Sequence, residues 1–431
     1  SSTEITQISD TFSVVNIGQK DLGAHEINIH TAAFNNALTL NAPASGGEIH
    51  VLGDLTVKKG ALTINGSGAT THLSGNILTE GTDIIINDRV ILSSDAQLNS
   101  SGGNINLSSQ VSGEFELFLN AGSGTISASG ALDVNGLAIE AASISSLSAN
   151  TEQVIAVKLT GEGEQFNYSN TELVTVGNVQ GLSGLQNNQG EFILSSTKGI
   201  NLPADSEFES ALTLNATEVG AEINVLGDLA IKNGELVLNG SGTTTYLSGD
   251  INTNGMDLTI NDSVILMDDV SIQTGGANIK ITGPVSGDFH LEVDTGQGSV
   301  QIEDNIAVKQ YTGQAKVTEL SGITADKVIF DNTLISGDAD LTITGELIAA
   351  DSLSIYNVSA FDIRATVDGR SGPLLVCAVD IDIRTANQQF NGPSIGNFGG
   401  FESIGGFFAY LADDDDDEDD EYSPSRRAFS G

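Results

Sequence analysis

The chain has 431 residues and a formal net charge of −41, from 57 acidic against 16 basic residues. That charge excludes a basic nucleic-acid footprint and argues against an anionic membrane surface, since both would repel the chain. Apolar residues make up 39% and aromatic residues 5%, so Leu, Ile and Val must supply the core. Abundant Gly (50) and scarce Pro (6) favour an all-β chain with many tight turns. The single cysteine, Cys377, excludes an intrachain disulfide.

The first 36 residues predict strands. FSVVNI (Phe12–Ile17) and HEINIH (His25–His30) alternate apolar and polar residues, as a half-buried strand does. They are expected to form a cap or first coils, because the end of a repeat array needs special treatment. The chain begins at Ser1 with neither Met nor a signal-peptide pattern, so we expect a processed chain or an excised segment.

The next stretch, Ala37–Leu92, occurs twice. Shifted by 174 positions it becomes Ala211–Leu266, and 36 of the 56 aligned positions are identical without a gap. ALTLNA, VLGDL, NGSG and IND recur unchanged. Duplication on this scale indicates a repeat architecture.

Short apolar pairs recur within each copy at a nearly constant interval. Their first members are 22, 21 and 21 residues apart in both copies. A strand every ~21 residues, with other short strands between, predicts coils of a parallel β-helix; an array of β-sandwiches is the alternative. The pairs are Leu62/Ile64, Ile84/Ile86 and Ile105/Leu107, followed by Ile126, and then Leu236/Leu238, Leu258/Ile260, Ile279/Ile281 and Val300/Ile302.

Asparagine and glycine stand where these strands end. Asn65 and Asn87 follow strands in the first copy, as Asn239 and Asn261 do in the second, and GSG (Gly66–Gly68) comes next. Both residue types tolerate the left-handed backbone of sharp corners. Stacked asparagines are also expected to hydrogen-bond along the coils as a ladder.

Landmarks after each copy divide the rest of the chain. VIAV, QFN and NVQGLSG follow the first copy; VCAV, QFN and GFESIGG follow the second, about 50 residues later than a 174-residue shift predicts. The extra residues, between Phe330 and Val376, are strand-like. The predicted organisation is a cap (1–36), repeat block 1 (37–150), spacer coils (151–208), repeat block 2 (209–330), inserted coils with a truncated spacer (331–411) and an acidic tail (412–431).

The tail contains nine consecutive acids, Asp413–Glu421. Like charges at this density repel each other, so a disordered end is predicted. It is expected to collect Ca²⁺ weakly and without a fixed cage, since neither a D-x-[DN]-x-[DN]-G loop nor a Gly-rich nonapeptide occurs and DAD (Asp338–Asp340) is too short.

The runs Leu62–Leu92 and Asn239–Leu266 resemble the β-strand repeats of large bacterial exoproteins, of which filamentous haemagglutinin-like adhesins are the best known. Asn178–Gly184 and Gly400–Gly406 look like the short GFE-x-L-x-G punctuation between such repeats. The resemblance covers roughly residues 37–406. It implies a right-handed β-helix, secretion, and attachment at a cell surface.

One patch near the end of the chain carries candidate chemistry. An acidic pair beside an arginine could bind a cation and an acidic sugar, or act as acid and base. The favoured interpretation is alternating strands whose charges pair on the solvent face of neighbouring coils. Its residues are Asp362, Arg364, Asp368, Arg370, Asp380, Asp382 and Arg384.

Other potential ligands show no spacing typical of a site. The five histidines, His25, His30, His50, His72 and His290, form no H-E-x-x-H pattern, and His50 and His72 become Asn224 and Tyr246 in the second copy. Scaffold positions are therefore favoured over ligands. GSG and GQG (Gly296–Gly298) are interpreted as corners rather than phosphate loops, and no G-x-S-x-G elbow occurs.

These features predict a secreted, non-enzymatic bacterial surface protein, an elongated β-helix that attaches to cells or glycans. Its partners would be glycans or proteins of a host or neighbouring cell. A self-assembling subunit of an extracellular filament or matrix is the alternative, and a polysaccharide lyase or hydrolase is third. No catalytic residue, cofactor or specific metal site is predicted.

Overall fold

A computed structural model shows an all-β chain whose parallel strands stack as a β-solenoid of about 14 turns. It describes residues 12–19, 25–42, 46–66, 68–188, 190–240, 242–320, 322–330, 333–336, 341–349, 353–368, 374–383 and 407–410. None of these residues is helical, and no helix long and apolar enough to cross a membrane is found among them. The predicted parallel β-helix is confirmed, and its right-handedness stays a prediction.

The strands are short and closely spaced up to residue 281 and longer beyond it. In chain order they are β1 Val14–Gly18, β2 Glu26–Ile29, β3 Ala32–Phe34, β4 Ala37–Ala42, β5 Glu48–Val51, β6 Leu55–Val57, β7 Leu62–Gly66, β8 Thr70–Leu73, β9 Ile77–Thr79, β10 Ile84–Ile86, β11 Arg89–Leu92, β12 Ala96–Asn99, β13 Ile105–Leu107, β14 Val111–Asn120, β15 Thr125–Ala128, β16 Leu132–Ala141, β17 Ser143–Ile144, β18 Leu147–Ala149, β19 Gln153–Glu162, β20 Phe166–Asn170, β21 Val174–Val176, β22 Asn178–Val179, β23 Leu182–Ser183, β24 Leu185–Asn188, β25 Phe192–Ser196, β26 Gly199–Leu202, β27 Ser206–Phe208, β28 Leu212–Ala216, β29 Glu222–Val225, β30 Leu229–Ile231, β31 Leu236–Gly240, β32 Thr244–Leu247, β33 Ile251–Asn252, β34 Leu258–Ile260, β35 Ser263–Leu266, β36 Val270–Gln273, β37 Ile279–Ile281, β38 Val285–Ile302, β39 Ile306–Leu320, β40 Gly322–Phe330, β41 Thr333–Ser336, β42 Leu341–Ala349, β43 Leu353–Asp368, β44 Leu374–Ile383 and β45 Phe407–Tyr410.

The chain divides into two compact units. The first comprises Ser1–Gly227 and Ile231–Thr243, and the second comprises Asp228–Ala230 and Thr244–Gly431. Each unit is a stack of coils with its own core.

In the first unit, apolar columns run from coil to coil inside the stack. Leu62, Ile84, Ile105 and Ile126 are successive register partners, and each is at most 1% exposed. The alternation of buried and partly exposed residues along β4 and β7 follows from the two-residue period of a strand. The predicted 21–22-residue interval is therefore the length of one coil.

The second unit repeats this construction. Leu258, Ile279 and Val300 are successive partners, and Val285, Ile306 and Ile323 form a second column. LTITG and LSIYN, predicted as strands of the inserted coils, begin β42 and β43. The acidic tail and GFESIGG lie outside the described residues.

Polar side chains join neighbouring coils at the corners. Asn65 Nδ2 donates to Asn41 Oδ1 at 3.4 Å, and Asn65 Oδ1 accepts from Asn87 Nδ2 at 2.7 Å. Asn87 Oδ1 in turn accepts from the Ser108 hydroxyl at 2.9 Å, and Asn239 donates to Asn215 at 2.9 Å. The predicted asparagine ladder is confirmed.

The asparagine ladder is expected to make a modest, local contribution to the free energy of unfolding. Replacing Asn65 by alanine removes one donor and one acceptor at a partly exposed corner, so we expect a loss of about 1 kcal/mol. Urea unfolding followed by circular dichroism measures it, with Asn135→Ala, which loses a bond to one backbone carbonyl, as the comparison. A loss no greater than that of Asn135→Ala would show that the ladder adds nothing.

The punctuation run NVQGLSG folds back on the first unit. Its strands β22 and β23 are antiparallel, and the turn places Gln180 and Gly181 at positive φ. Val179 packs on Ala138 and Ala156, with Phe118, Val154 and Leu182 at the edge of this cluster. The hairpin therefore covers an outer face of the sheet that would otherwise expose apolar side chains.

Candidate functional site

The seven-stranded sheet of the first unit carries no charged side chain in any of its strands. Its order is β1-β4-β7-β10-β13-β15-β17, with the strand sequences VVNIG, ALTLNA, LTING, III, INL, TISA and SI. In a chain with a net charge of −41, this is a separate chemical environment. At about 4.8 Å per strand, the sheet extends over about 29 Å.

Hydroxyl and amide groups dominate the outward positions of this sheet. Successive register partners form one outward column along the stack, and all its members are exposed or partly exposed. We call this column and the adjacent asparagine ladder the neutral face. The column consists of Asn16, Thr39, Thr63, Ile85, Asn106 and Ser127.

The second copy carries a charge in this column and loses one of its hydroxyls, since Val237 stands where Thr63 stands. Lys280 stands in β37 where Asn106 stands in β13, and its ammonium lies 2.9 Å from a carboxylate oxygen of Glu303. An uncharged outward surface is therefore best developed in the first copy.

The neighbouring sheet of the first unit presents ionisable groups. Glu26 and Glu48 are register partners on β2 and β5, and His50 and His72 are partners on β5 and β8. The two imidazole rings stack with centroids 4.7 Å apart and planes 9° apart. His50 Nε2 lies 3.0 Å from Glu48 Oε2 and 3.7 Å from Glu26 Oε1. One donor atom each from Glu48, His50 and His72 falls within a 4.8 Å group.

Linear spacing did not predict this cluster. The register shows the missing signal: His50 and His72 are 22 residues apart, which is the length of one coil at that point. Side chains separated by one coil length on outward positions become neighbours, whatever motif they belong to. The other three histidines are placed apart from the pair; His25 Nε2 lies 3.4 Å from the Asn41 carbonyl and His290 Nε2 lies 2.8 Å from the Thr312 hydroxyl.

The charged patch predicted near the end of the chain is described only by its backbone. Asp362 and Asp382 are register partners across β43 and β44, while Arg364 is the partner of Thr344 and Asp380 of Ala360. Among the described residues, the backbone register therefore pairs Asp362 with Asp382, and the pairing of the acids with arginines stays a prediction. Arg370 and Arg384 lie outside the described residues, as does DAD.

A buried carboxylate stands in the IND motif of each copy. Asp88, 2% exposed, accepts hydrogen bonds from the Gly66 amide and the Thr71 hydroxyl, the latter at 3.1 Å. In the second copy Asp262 accepts from the Thr245 hydroxyl at 3.0 Å. Burial raises the pKa of Asp88, although both hydrogen bonds oppose the rise. The carboxylate of Asp88 stabilises the corner from inside the coil and is shielded from solvent.

The spacer contains a network of buried polar side chains, formed by Gln153, Tyr168 and Asn170. The Tyr168 hydroxyl donates to Gln153 Oε1 at 2.5 Å and accepts from Asn170 Nδ2 at 3.1 Å. Gln153 Nε2 donates to the carbonyls of Leu132 and Val134 at 2.9 and 2.7 Å. Burial raises the pKa of Tyr168. The network satisfies polar groups inside the coils, so its perturbed tyrosine has a structural explanation.

Comparison of the chain with protein-family models, with curated proteins and with solved structures finds no significant match.

Proposed function

We propose that this chain is a secreted, non-enzymatic bacterial surface protein whose stacked coils attach to cells or glycans. The neutral face is the observation that carries the proposal. Five of the six side chains in its column, all but Ile85, carry a hydroxyl or amide group, which both donates and accepts hydrogen bonds, as the hydroxyls of a sugar do. A neutral ligand can therefore form hydrogen bonds to these groups without the cost of removing water from a charged side chain.

The geometry favours an extended ligand over a compact one. Outward side chains repeat once per strand, about 4.8 Å apart, on a sheet that parallel hydrogen bonds hold rigid. Each contact is weak because it is partly exposed to water. Several contacts along one polymer chain add through effective concentration, so a polymeric or clustered glycan gains affinity that a monosaccharide does not.

The causes of the raised pKa values support a binding role over catalysis. An acid–base pair needs two titratable groups at one open site, with pKa values displaced in opposite directions. Asp88 and Tyr168 lie inside coils, while Lys232 has a raised pKa because it forms surface ion pairs with Glu207 and Glu209. Each displacement is accounted for by burial or by an ion pair.

Adding charge to the neutral face tests the proposal. We expect Thr63→Glu with Asn106→Glu to lower attachment to cells or to an arrayed glycan at least tenfold, because two desolvated carboxylates would oppose binding. Thr56→Glu with Gln97→Glu adds the same charge at outward positions of β6 and β12 and should leave attachment unchanged. Equal losses in both double variants, or no attachment by the unmodified chain to any cell or glycan, would overturn the proposal.

Self-assembly is the second candidate, favoured by the first described strand. Phe12 and Val14 are 59% and 38% exposed, and within the described residues β1 pairs on one side, with β4. A strand edge that no other described strand pairs with, beside apolar side chains, is a template for another chain. Electron microscopy at rising concentration discriminates: end-to-end filaments that shorten in Phe12→Ser with Val14→Ser support assembly, whereas single particles throughout contradict it.

A further inference from the structure

We propose that Glu48, His50 and His72 bind one divalent transition-metal ion of the Zn²⁺ class on the outer face of the first unit. Two imidazoles and one carboxylate are a donor set that suits Zn²⁺, as in sites with three protein ligands and a fourth position left open. Nothing in the proposed attachment function requires this ion. The site lies on another sheet than the neutral face.

The fold places the three donors within reach of one ion. A metal bound at about 2.0–2.1 Å holds its donor atoms no more than about 4.2 Å apart. The candidate atoms lie within 4.8 Å of one another, and His50 Nε2 is already 3.0 Å from Glu48 Oε2. A metal lies in the plane of each imidazole that binds it, so the stacked rings of His50 and His72 must rotate apart to complete the site. Rotation about their side-chain bonds does this without moving the strands.

The position of the donors follows from the sheet. His50 and His72 are register partners on adjacent parallel strands, and their ring spacing of 4.7 Å matches the strand spacing. Glu48 is two residues before His50, so it points to the same side of β5. Ligands mounted on paired strands are held more precisely than ligands on loops.

The surroundings favour a cation and allow it to exchange with solvent. Glu26 adds a second carboxylate, 3.7 Å from His50, and is 57% exposed at its side chain, while the His50 side chain is 20% exposed. Asn28 donates to Glu26 at 2.8 Å and so orients it. Arg89 carries a positive charge in the same register column as Glu48, but Thr70 lies between the two.

The second copy provides a natural comparison. Its position equivalent to Glu48 is still Glu222, whereas His50 and His72 are replaced by Asn224 and Tyr246. Both copies form the same strands at these positions, β5 with β29 and β8 with β32. The scaffold therefore does not need the imidazoles, and the donor set exists in one copy.

Zinc binding by the full-length chain tests the proposal. Metal-free protein is titrated with Zn²⁺ by calorimetry in excess Ca²⁺, which occupies carboxylate-only sites such as the acidic tail. We expect one saturable Zn²⁺ per chain, and visible absorption bands of four-coordinate Co²⁺ when that ion replaces Zn²⁺. His50→Asn with His72→Tyr, which copies the second block, should lose the saturable site and the bands.

A matched variant separates the site from general metal uptake. His30→Asn with His290→Asn removes two histidines that lie outside the cluster and should retain one Zn²⁺ per chain. Unchanged circular dichroism in both double variants shows that each has folded. Equal Zn²⁺ uptake by the unmodified chain and by His50→Asn with His72→Tyr, or the absence of any saturable uptake, would overturn the proposal.

Discussion

Replacing Gly113 by alanine is expected to destabilise the first unit by about 3 kcal/mol or more, through backbone strain and overpacking together. Gly113 has a φ of +149°, a backbone angle that L-residues with a side chain rarely adopt. An added Cβ would also lie 2.8 Å from the Leu92 carbonyl oxygen on the preceding coil. The oxygen belongs to the backbone of β11 and the Cβ would be fixed to the backbone of β14, so neither atom can move away without shifting a strand.

The reason for this conformation is a β-bulge. The register of β14 with β16 shifts between Gly113 and Glu116, so the chain takes an extra residue there. The second copy has the same device: Gly287 has a φ of +144° and its register shifts before His290. An added Cβ at Gly287 would lie 2.7 Å from the Leu266 oxygen, so Gly287→Ala should show a similar loss in the second unit.

Hydrogen exchange of the flanking coils is the appropriate measurement, since a long repeat array need not unfold as one cooperative unit. Gly163→Ala is the control: its φ is +70° and an added Cβ meets no atom within 4 Å. It should lose only the backbone contribution, about 1 kcal/mol. If Gly113→Ala and Gly163→Ala lost protection equally, the carbonyl contact would contribute nothing.

Replacing Asp88 by alanine is expected to reduce stability by about 3 kcal/mol, because it leaves two buried donors without an acceptor at about 1–3 kcal/mol each. These donors are the Gly66 amide and the Thr71 hydroxyl. Asp88→Asn should be much milder, since the amide oxygen accepts from Gly66 and the Thr71 hydroxyl accepts from the amide nitrogen. Asp262→Ala is the matched change in the second unit, where Thr245 loses its acceptor.

The pH dependence of this effect has a defined sign. Burial raises the pKa of Asp88 in the folded chain, so the folded chain holds this proton more tightly than the unfolded chain does. The stabilisation that comes from this tighter proton binding is therefore complete below the pKa of Asp88 in the unfolded chain. It is lost as pH rises through the pKa of Asp88 in the folded chain. Asp88→Asn does not titrate, so the unmodified chain should lose stability relative to it from acid to neutral pH.

Urea unfolding of the two proteins over a pH series measures this difference. Comparing variants cancels the repulsion among the chain's other carboxylates, which changes over the same range. A stability difference that stays constant with pH would contradict the raised pKa. A difference that changes in the opposite direction would show that the hydrogen bonds from Gly66 and Thr71 outweigh desolvation.

Much of the fold follows from local patterns. The interval between Leu62, Ile84 and Ile105 predicted the coil because every coil must return an apolar side chain to the same inner column. Asn65 and Asn87 predicted a ladder for the same reason, since equal intervals stack equal side chains. These relations need only the period of the sequence and the two-residue alternation of strands.

The hairpin at Asn178–Ser183 shows where such reasoning ends. NVQGLSG was recognised as punctuation, but nothing in its own residues states that Val179 would pack on Ala138 and Ala156. Those alanines face outward on β16 and β19, where alternation alone predicts exposure. Their burial depends on Val179, which follows Ala138 by 41 residues and Ala156 by 23 in the sequence and which only the folded chain brings back.

The amino-acid sequence by itself determined the strands, the length of a coil and the chemistry available on each, because these depend on alternation and on a repeated interval. The tertiary structure decided which outward side chains meet. His50 joins His72 and Glu48 because the corners between β5 and β8 consume the residues that make one turn. Asp88 is buried because its corner turns inward onto Thr71. Contact between coils depends on the sum of all corner lengths, and no single motif contains that sum.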